Sequence, residues 1–239
     1  MTGLRNFYNV IGNGFFSFYD ENTGTVVLVS VICAVLAYLC GSVNFSLLIS
    51  KSKYGSDIRT HGSGNAGTTN MTRVFGKKAG LFTFFGDMFK TALAVVIGYV
   101  LLGYYGAYFA GLFCILGHAF PVYFGFKGGK GVATISTICL MTEPVVFLVL
   151  FVIFAIIILG YKMVSLASVM SMMIYPLILS MLGFAGSAGL HIIFAAIMAL
   201  LVIFLHRKNI ARIYNNTESK ISFGKNKNKN TTQTEENKK

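Results

Sequence analysis

Charge is scarce in this chain: 12% of its 239 residues are charged and 55% are hydrophobic. Soluble domains carry about 25% charged residues, so a water-surrounded globule is excluded and lipid must be the solvent. Acidic residues are scarcer still, eight against twenty Lys and Arg. They are scattered or gathered in the tail, which excludes the acidic metal-binding motif that a head-group phosphotransferase needs. The four cysteines, Cys33, Cys40, Cys114 and Cys139, lie in apolar stretches without CxxC metal spacing and read as packing residues. The first apolar run begins late and lacks the cationic lead of a secretory signal. A spanning helix takes roughly 20 apolar residues, so the length allows about five to seven spans and no separate large soluble domain.

What is present is a net charge of +12, set beside the hydrophobic runs. That placement argues against nucleic acid as a partner and for cationic loops on the inner side of a bilayer. Residues 1–24 read as an N-terminal extension, 25–221 as a membrane domain, and 222–239 as a basic tail expected to be disordered. The apolar runs are about Thr25 to Ser50, Ala79 to Leu102, Tyr104 to Phe124, 131–142, 145–160, Met163 to Leu182, and a last one to His206. Residues 131–160 are divided because Thr142-Glu143-Pro144 puts a charge and a proline where a single helix would have its centre.

This predicts an all-α integral membrane protein, a seven-transmembrane-helix bundle with the N-terminus outside and the C-terminus cytosolic. Lys51, Lys53, Arg59, Arg73, Lys77, Lys78, Lys127, Lys130, Lys162 and the tail then share the cytosolic side. The opposite turns, near Gly103, Glu143 and Gly183–Gly189, contain no Lys or Arg. An undivided 131–160 would put the basic tail outside, against the positive-inside rule.

Three polar clusters fall on the cytosolic side. In the first, Arg59 to Arg73, glycines permit close backbone approach to a ligand. There Ser63, Asn65, Thr69 and Asn70 can donate hydrogen bonds, and Arg73 can pair an anion as a fork. A flexible polar loop is the bland alternative. The second runs from Gly117 to Thr134. Gly128, Gly129 and Gly131 flank Lys130 just before a helix, a setting for an anion-binding nest at a helix N-terminus. It is not a Walker A loop, since Phe124 and Gly131 occupy positions that need Gly and Ser/Thr. An interfacial anchor with a glycine hinge is the competing reading. The third, His206 to Ile221, follows the last span, and on its own reads as a cationic anchor. His206 and Asn209, three apart, share a helical face, and His206 suits a general base or phosphate ligand. Elsewhere, Asp87 and Lys90 read as a structural ion pair facing the interior, and His191 as a packed residue.

These clusters resemble the bacterial acyl-phosphate-dependent glycerol-3-phosphate acyltransferases, the PlsY family, over about residues 25–221. The resemblance rests on Ser63-Gly-Asn-Ala-Gly-Thr-Thr-Asn-Met-Thr-Arg73, on Gly117-His-Ala-Phe-Pro through Phe126-Lys-Gly-Gly-Lys-Gly-Val-Ala-Thr134, and on His206-Arg-Lys-Asn-Ile-Ala-Arg212. It implies seven helices with the N-terminus outside, and acyl transfer from acyl phosphate to the 1-hydroxyl of sn-glycerol 3-phosphate at the cytosolic face of a bacterial plasma membrane. Lysophosphatidate and phosphate would be the products. No cofactor or metal is implied, and a monomer is expected. The family's catalytic positions map to Ser63, Arg73, Lys130, Ser165, His206 and Asn209. Gly64, Asn65, Asn70, Lys127, Gly128, Gly129 and Gly131 are expected to hold substrate phosphate. Asn44, Ser46, Lys162, Met163 and Asn216 depart from the family's usual residues, at helix ends. No His-x4-Asp pair and no G-x-S-x-G elbow occurs, so positioning and electrostatics must dominate. A small transporter of an anionic solute is the alternative; it requires polar residues through the full depth of several spans.

Overall fold

The computed structural model describes residues 23–183 and 189–221. The expectations for residues 1–22, for the turn at 184–188 and for the tail from 222 onward lie outside the described residues.

Among the described residues the regular elements are all helical. They are α1 (Thr23–Ser42), α2 (Phe45–Tyr54), α3 (Thr68–Phe75), α4 (Lys77–Ala119), α5 (Val132–Thr142), α6 (Pro144–Tyr161), α7 (Val164–Leu182), α8 (Leu190–Leu205) and α9 (Arg207–Tyr214). Four stretches are long and apolar enough to cross a membrane, and α8 with α9, bent by 57°, makes a fifth if counted together. The protein is therefore a multi-pass membrane protein. α6 shows the lipid-facing character most plainly: only Val146 and Leu150 are buried, while Leu148, Val152, Ile156 and Leu159 are exposed.

α4 is not one straight rod. Gly103 sits at φ +69°, where a side chain would clash with its own backbone. A Cβ on Gly98 or on Gly106 would strike the other's carbonyl oxygen. In a straight helix residues eight apart are separated by about 12 Å, so α4 turns back on itself as a hairpin at the expected place. α1 packs on the hairpin through equally close backbone approaches, Gly41 against Cys114 and Gly117 against Tyr38. Small residues at such contacts are what hold helices together where lipid supplies no hydrophobic drive. The division at Glu143 is also as expected: Pro144 opens α6 at a position where no N–H is needed.

Three expectations need correction. The apolar run from Thr25 to Ser50 is not one helix; it breaks after Ser42. Asn44 caps α2, its Oδ1 accepting from the Leu47 N–H at 3.1 Å and the Ser46 hydroxyl at 2.6 Å. Lys90 caps the end of α1, donating to the carbonyls of Gly41 at 2.9 Å and Val43 at 2.8 Å. Its Nζ is also 2.9 Å from Asp87 Oδ1 and 3.0 Å from His118 Nδ1. The expected Asp87–Lys90 pair is present and does a second job, tying the α1–α2 break to both limbs of α4. Second, the run from Tyr104 ends at Ala119 and not at Phe124, because Pro121 cannot continue it. Third, the loop between Lys51 and Lys78 contains a helix, α3. His191 is packed as expected, its ring 6.0 Å from those of Tyr104 and Tyr108.

Candidate active site

Arg59 stitches the first two clusters together. Its guanidinium meets the Asp57 carboxylate at 2.7 Å and donates to the carbonyls of Phe124 at 2.7 Å and Lys127 at 3.0 Å. The hydrogen bond from Arg59 is the main reason the Asp57 pKa is held down to about 2. Asn70, expected to donate to substrate, organises the loop instead. Its Oδ1 accepts from the Ser63 N–H at 2.9 Å, and its Nδ2 serves the carbonyls of His61 at 2.9 Å and Ile58 at 3.3 Å. With both amide hydrogens used, none is left for a phosphate. The Ser63 hydroxyl and the Arg73 guanidinium face the site without a hydrogen-bond or ion-pair partner among the described residues.

The glycine segment departs from the expected nest. The N–H groups of Gly128 and Gly129 bond back to the carbonyls of Ala119 and His118, both at 3.0 Å. A Cβ on Gly129 would run into the His118 ring and stand 2.6 Å from the Ala66 carbonyl. These two glycines let the chain lie against the end of α4; they do not present amides. Donors begin at the first turn of α5, whose N–H groups have no intrahelical acceptor and carry the positive end of the helix dipole.

Lys130 sits just before that turn, half-buried, with its Nζ bonded to Asn209 Oδ1. Burial lowers its pKa to about 8, and the nearby charges of Arg212 and Arg73 push the same way against Glu218. Asn209 Nδ2 donates in turn to Ser165 Oγ and to Glu218 Oε1, both at 2.7 Å. Ser165 donates to the same Oε1 at 2.6 Å, and Arg212 Nε to Oε2 at 2.7 Å. Burial works against the Glu218 charge, but hydrogen bonds from Ser165, Asn209 and Arg212 outweigh it and keep its pKa below the ordinary carboxylate value. Glu218 was not expected in the site. The only signal was an isolated acid in a basic segment, two residues after Asn216. His206, 3% exposed, occupies the bend between α8 and α9. Its Nδ1 donates to the Val202 carbonyl at 2.7 Å, which leaves Nε2 as the ring's acceptor.

Two cavities meet at this network. One, of about 710 Å³, holds Ser63, Asn65, Asn70, Arg73, Lys130 and Gly131, together with Ser165, His206 and Asn209. It continues between α5, α6 and α7 along walls that are mostly apolar, with the hydroxyls of Ser136, Ser168 and Ser171 among them. The other, of about 790 Å³, is lined by Gly64, Lys127, Gly128 and Gly129, and by the cations Arg59, Arg207 and Lys208. Ser63, Asn65, Lys130, Asn209 and Arg212 line both. Every residue expected at the site thus lines at least one of the two. Among the described residues no group of three His, Cys, Asp or Glu could hold a metal ion.

The arrangement defines a class: a multi-pass membrane protein with two adjoining cavities that share polar and cationic walls. A sequence profile of the glycerol-3-phosphate acyltransferase family matches residues 31–216. Glycerol-3-phosphate acyltransferase of Exiguobacterium sibiricum is 44% identical over 194 residues, 81% of this chain and 94% of that protein. The Bacillus subtilis protein of that name is 38% identical, over 79% and 96%. A solved structure of PlsY, an integral membrane glycerol 3-phosphate acyltransferase, in its glycerol 3-phosphate form superposes with a TM-score of 0.75 at 38% identity, covering 81% of this chain and 96% of that one. The chain belongs to the glycerol-3-phosphate acyltransferase family.

Proposed function

We propose that this protein transfers a fatty acyl group from acyl phosphate to the 1-hydroxyl of sn-glycerol 3-phosphate. The observation that carries the reading is the shared wall: Lys130 and Asn209 border both cavities. Acyl phosphate lies in the cavity with the apolar arm, reached from the bilayer. Glycerol 3-phosphate, being soluble, enters the cationic cavity. Lys130 stands between the two phosphates. The solved relatives in glycerol 3-phosphate and lysophosphatidic acid forms support this pairing of ligands.

In the reaction the carbonyl carbon loses its bond to the phosphate oxygen and gains one to the glycerol oxygen. The phosphate departs with the electron pair. Acyl phosphate is already activated, so no covalent enzyme intermediate is required. Arg73 and Lys130 hold the phosphates, Ser63 and Ser165 donate to them, and Asn209 positions Lys130. His206 Nε2 accepts the hydrogen bond of the attacking hydroxyl. Burial, and the Lys130 charge nearby, disfavour a second proton on this ring, so the leaving phosphate takes the proton. Most of the acceleration then comes from orientation and charge stabilisation.

The membrane arrangement belongs to the same proposal. Counting the two limbs of α4 separately and including the short α5 gives seven spans, with the basic polar end cytosolic in a bacterial plasma membrane. The experiment is an assay of purified protein with glycerol 3-phosphate and, separately, palmitoyl phosphate, acyl-CoA and acyl-carrier protein. Turnover with palmitoyl phosphate alone is expected. Turnover with none of the three would sink the reading, and turnover with a thioester would correct the donor.

A further inference from the structure

His118, in the last turn of α4, takes no part in the acyl transfer described above. It is 4% exposed and lines the larger cavity, as Asp87 does. Its two ring nitrogens meet different neighbours. Nδ1 is 3.0 Å from the Lys90 ammonium and 3.6 Å from Asp87 Oδ1. An ammonium only donates, so Nδ1 accepts and the ring proton sits on Nε2. Lys90 is itself held by Asp87 and by the Gly41 and Val43 carbonyls. The ring therefore stands on a fixed base in one tautomer. Its other edge reaches the two loops that carry the site. A Cβ on Gly129 would strike Nε2, the nearest ring atom, and stand 2.6 Å from the carbonyl oxygen of Ala66, a fully buried residue. Nε2 and that carbonyl thus flank Gly129.

Each loop leads directly into groups that face substrate. Gly129 precedes Lys130. Ala66 lies between Asn65 and α3, the helix that carries Arg73. Asn65 and Lys130 border both cavities, and Arg73 lines the larger. Arg59 joins the same two loops at the Phe124 and Lys127 carbonyls; the His118 ring meets them one residue from Lys130. Resting on the acyl-transfer reading above, we propose that His118 is a positioning residue: held by Lys90, its ring spaces Gly129 from Ala66 and so fixes Lys130 against the Asn65–Arg73 segment. Both phosphates are gripped across that spacing. An error in it weakens the hold on each and misaligns the reacting atoms, where about 1 Å can cost about 10²-fold in rate. A ring needed only for packing could be replaced by any group of its volume. A post with a separate contact on each edge cannot.

The test separates the two edges of the ring. His118→Asn puts an amide near the Nδ1 position, within reach of Lys90, and leaves the gap beside Gly129 empty. His118→Gln reaches the Nε2 position and abandons Lys90. Three quantities are measured: the thermal unfolding midpoint in detergent, the Kd of glycerol 3-phosphate by calorimetric titration, and the KM for palmitoyl phosphate. Neither Kd nor KM depends on the fraction of protein that is folded, so a merely structural role moves only the midpoint. His118→Asn should keep a midpoint near that of the wild type while both constants rise about tenfold, the scale of one hydrogen bond to a charged group. His118→Gln should lower the midpoint yet hold both constants within about threefold, less than that one bond is worth. Constants that stay at wild-type values in both variants, or rise alike in both, would overturn the positioning role and leave acyl transfer intact. If one variant does not fold, the other decides: unchanged constants in His118→Asn, or raised ones in His118→Gln, overturn it. A wild type that binds no glycerol 3-phosphate and turns over no palmitoyl phosphate would instead overturn the reading on which the proposal rests, and the proposal with it.

Discussion

Lys90 and Lys130 are both withdrawn from water, yet their surroundings are opposite. Lys90 is 4% exposed, and everything its ammonium can donate is taken by Asp87, by the Gly41 and Val43 carbonyls and by the contact with His118. Lys130 is half-buried among other cations and bonds the neutral Asn209 side chain. Glu218, the acid beside it among the described residues, is committed to Ser165, Asn209 and Arg212. A buried lysine whose hydrogen bonds are all met by protein holds the fold. One that is left with unmatched charge is waiting for an anion.

Exchanging the two effects would break this comparison. Lys90→Met leaves the Asp87 carboxylate buried without its counter-charge, at a cost of about 3–5 kcal/mol. A large drop in the thermal unfolding midpoint in detergent is expected. Lys130→Met relieves crowding among cations, so the midpoint holds or rises, while kcat/KM falls by about 10²–10³, as on losing one preorganised stabilising donor. A stable Lys90→Met or an unstable Lys130→Met would show that the roles are misassigned.

His206 sharpens the comparison at the next level. As an orienting acceptor, its loss should be made good by another acceptor. Steady-state kinetics should show His206→Gln within about tenfold of wild type and His206→Ala well below it. A general base would lose about 10²–10⁴ in either variant.

The pH dependence tests Lys130 alone. In the ligand-free protein its pKa is near 8, against about 10.4 for an unfolded lysine. Above about pH 8 the ammonium is lost, and glycerol 3-phosphate affinity, followed by calorimetric titration, should fall by at most about tenfold per unit. Stability should move the other way. Between about 8 and 10.4 the unfolded chain binds the extra proton, so unfolding becomes less favourable as pH rises. Lys130→Arg should flatten both profiles. The smallest effect is expected for Arg59→Lys. An ammonium cannot reproduce the forked bond to Asp57 together with both carbonyl contacts, so stability should fall by about 1 kcal/mol in denaturant titration, with KM rising more than kcat falls.

Periodicity and charge made the coarse architecture legible. The division at Glu143-Pro144 and the turn at Gly103 were readable because a proline after a charge and a glycine between apolar runs act locally. The break after Ser42 was not, because Lys90, 47 and 49 residues from the two carbonyls it binds, holds it open. The residue types of the site were readable, as Lys130, Arg73, His206 and Asn209 all face a cavity. Which donors remain available was not. Asn70, Gly128 and Gly129 look like phosphate ligands in sequence, but their hydrogens go to carbonyls that only the fold brings near. Glu218 was missed for the converse reason: an acid in an anion site makes sense only once Ser165, Asn209 and Arg212 surround it.

The central claim is that two phosphates meet across Lys130 and that one of them leaves. Phosphorus-31 NMR of purified enzyme with acyl phosphate and glycerol 3-phosphate follows both in a single sample. The account predicts that the two substrate signals decay together, with one inorganic phosphate released for each lysophosphatidate formed. Phosphate release without lysophosphatidate, or an unchanged glycerol 3-phosphate signal while acyl phosphate disappears, would contradict it.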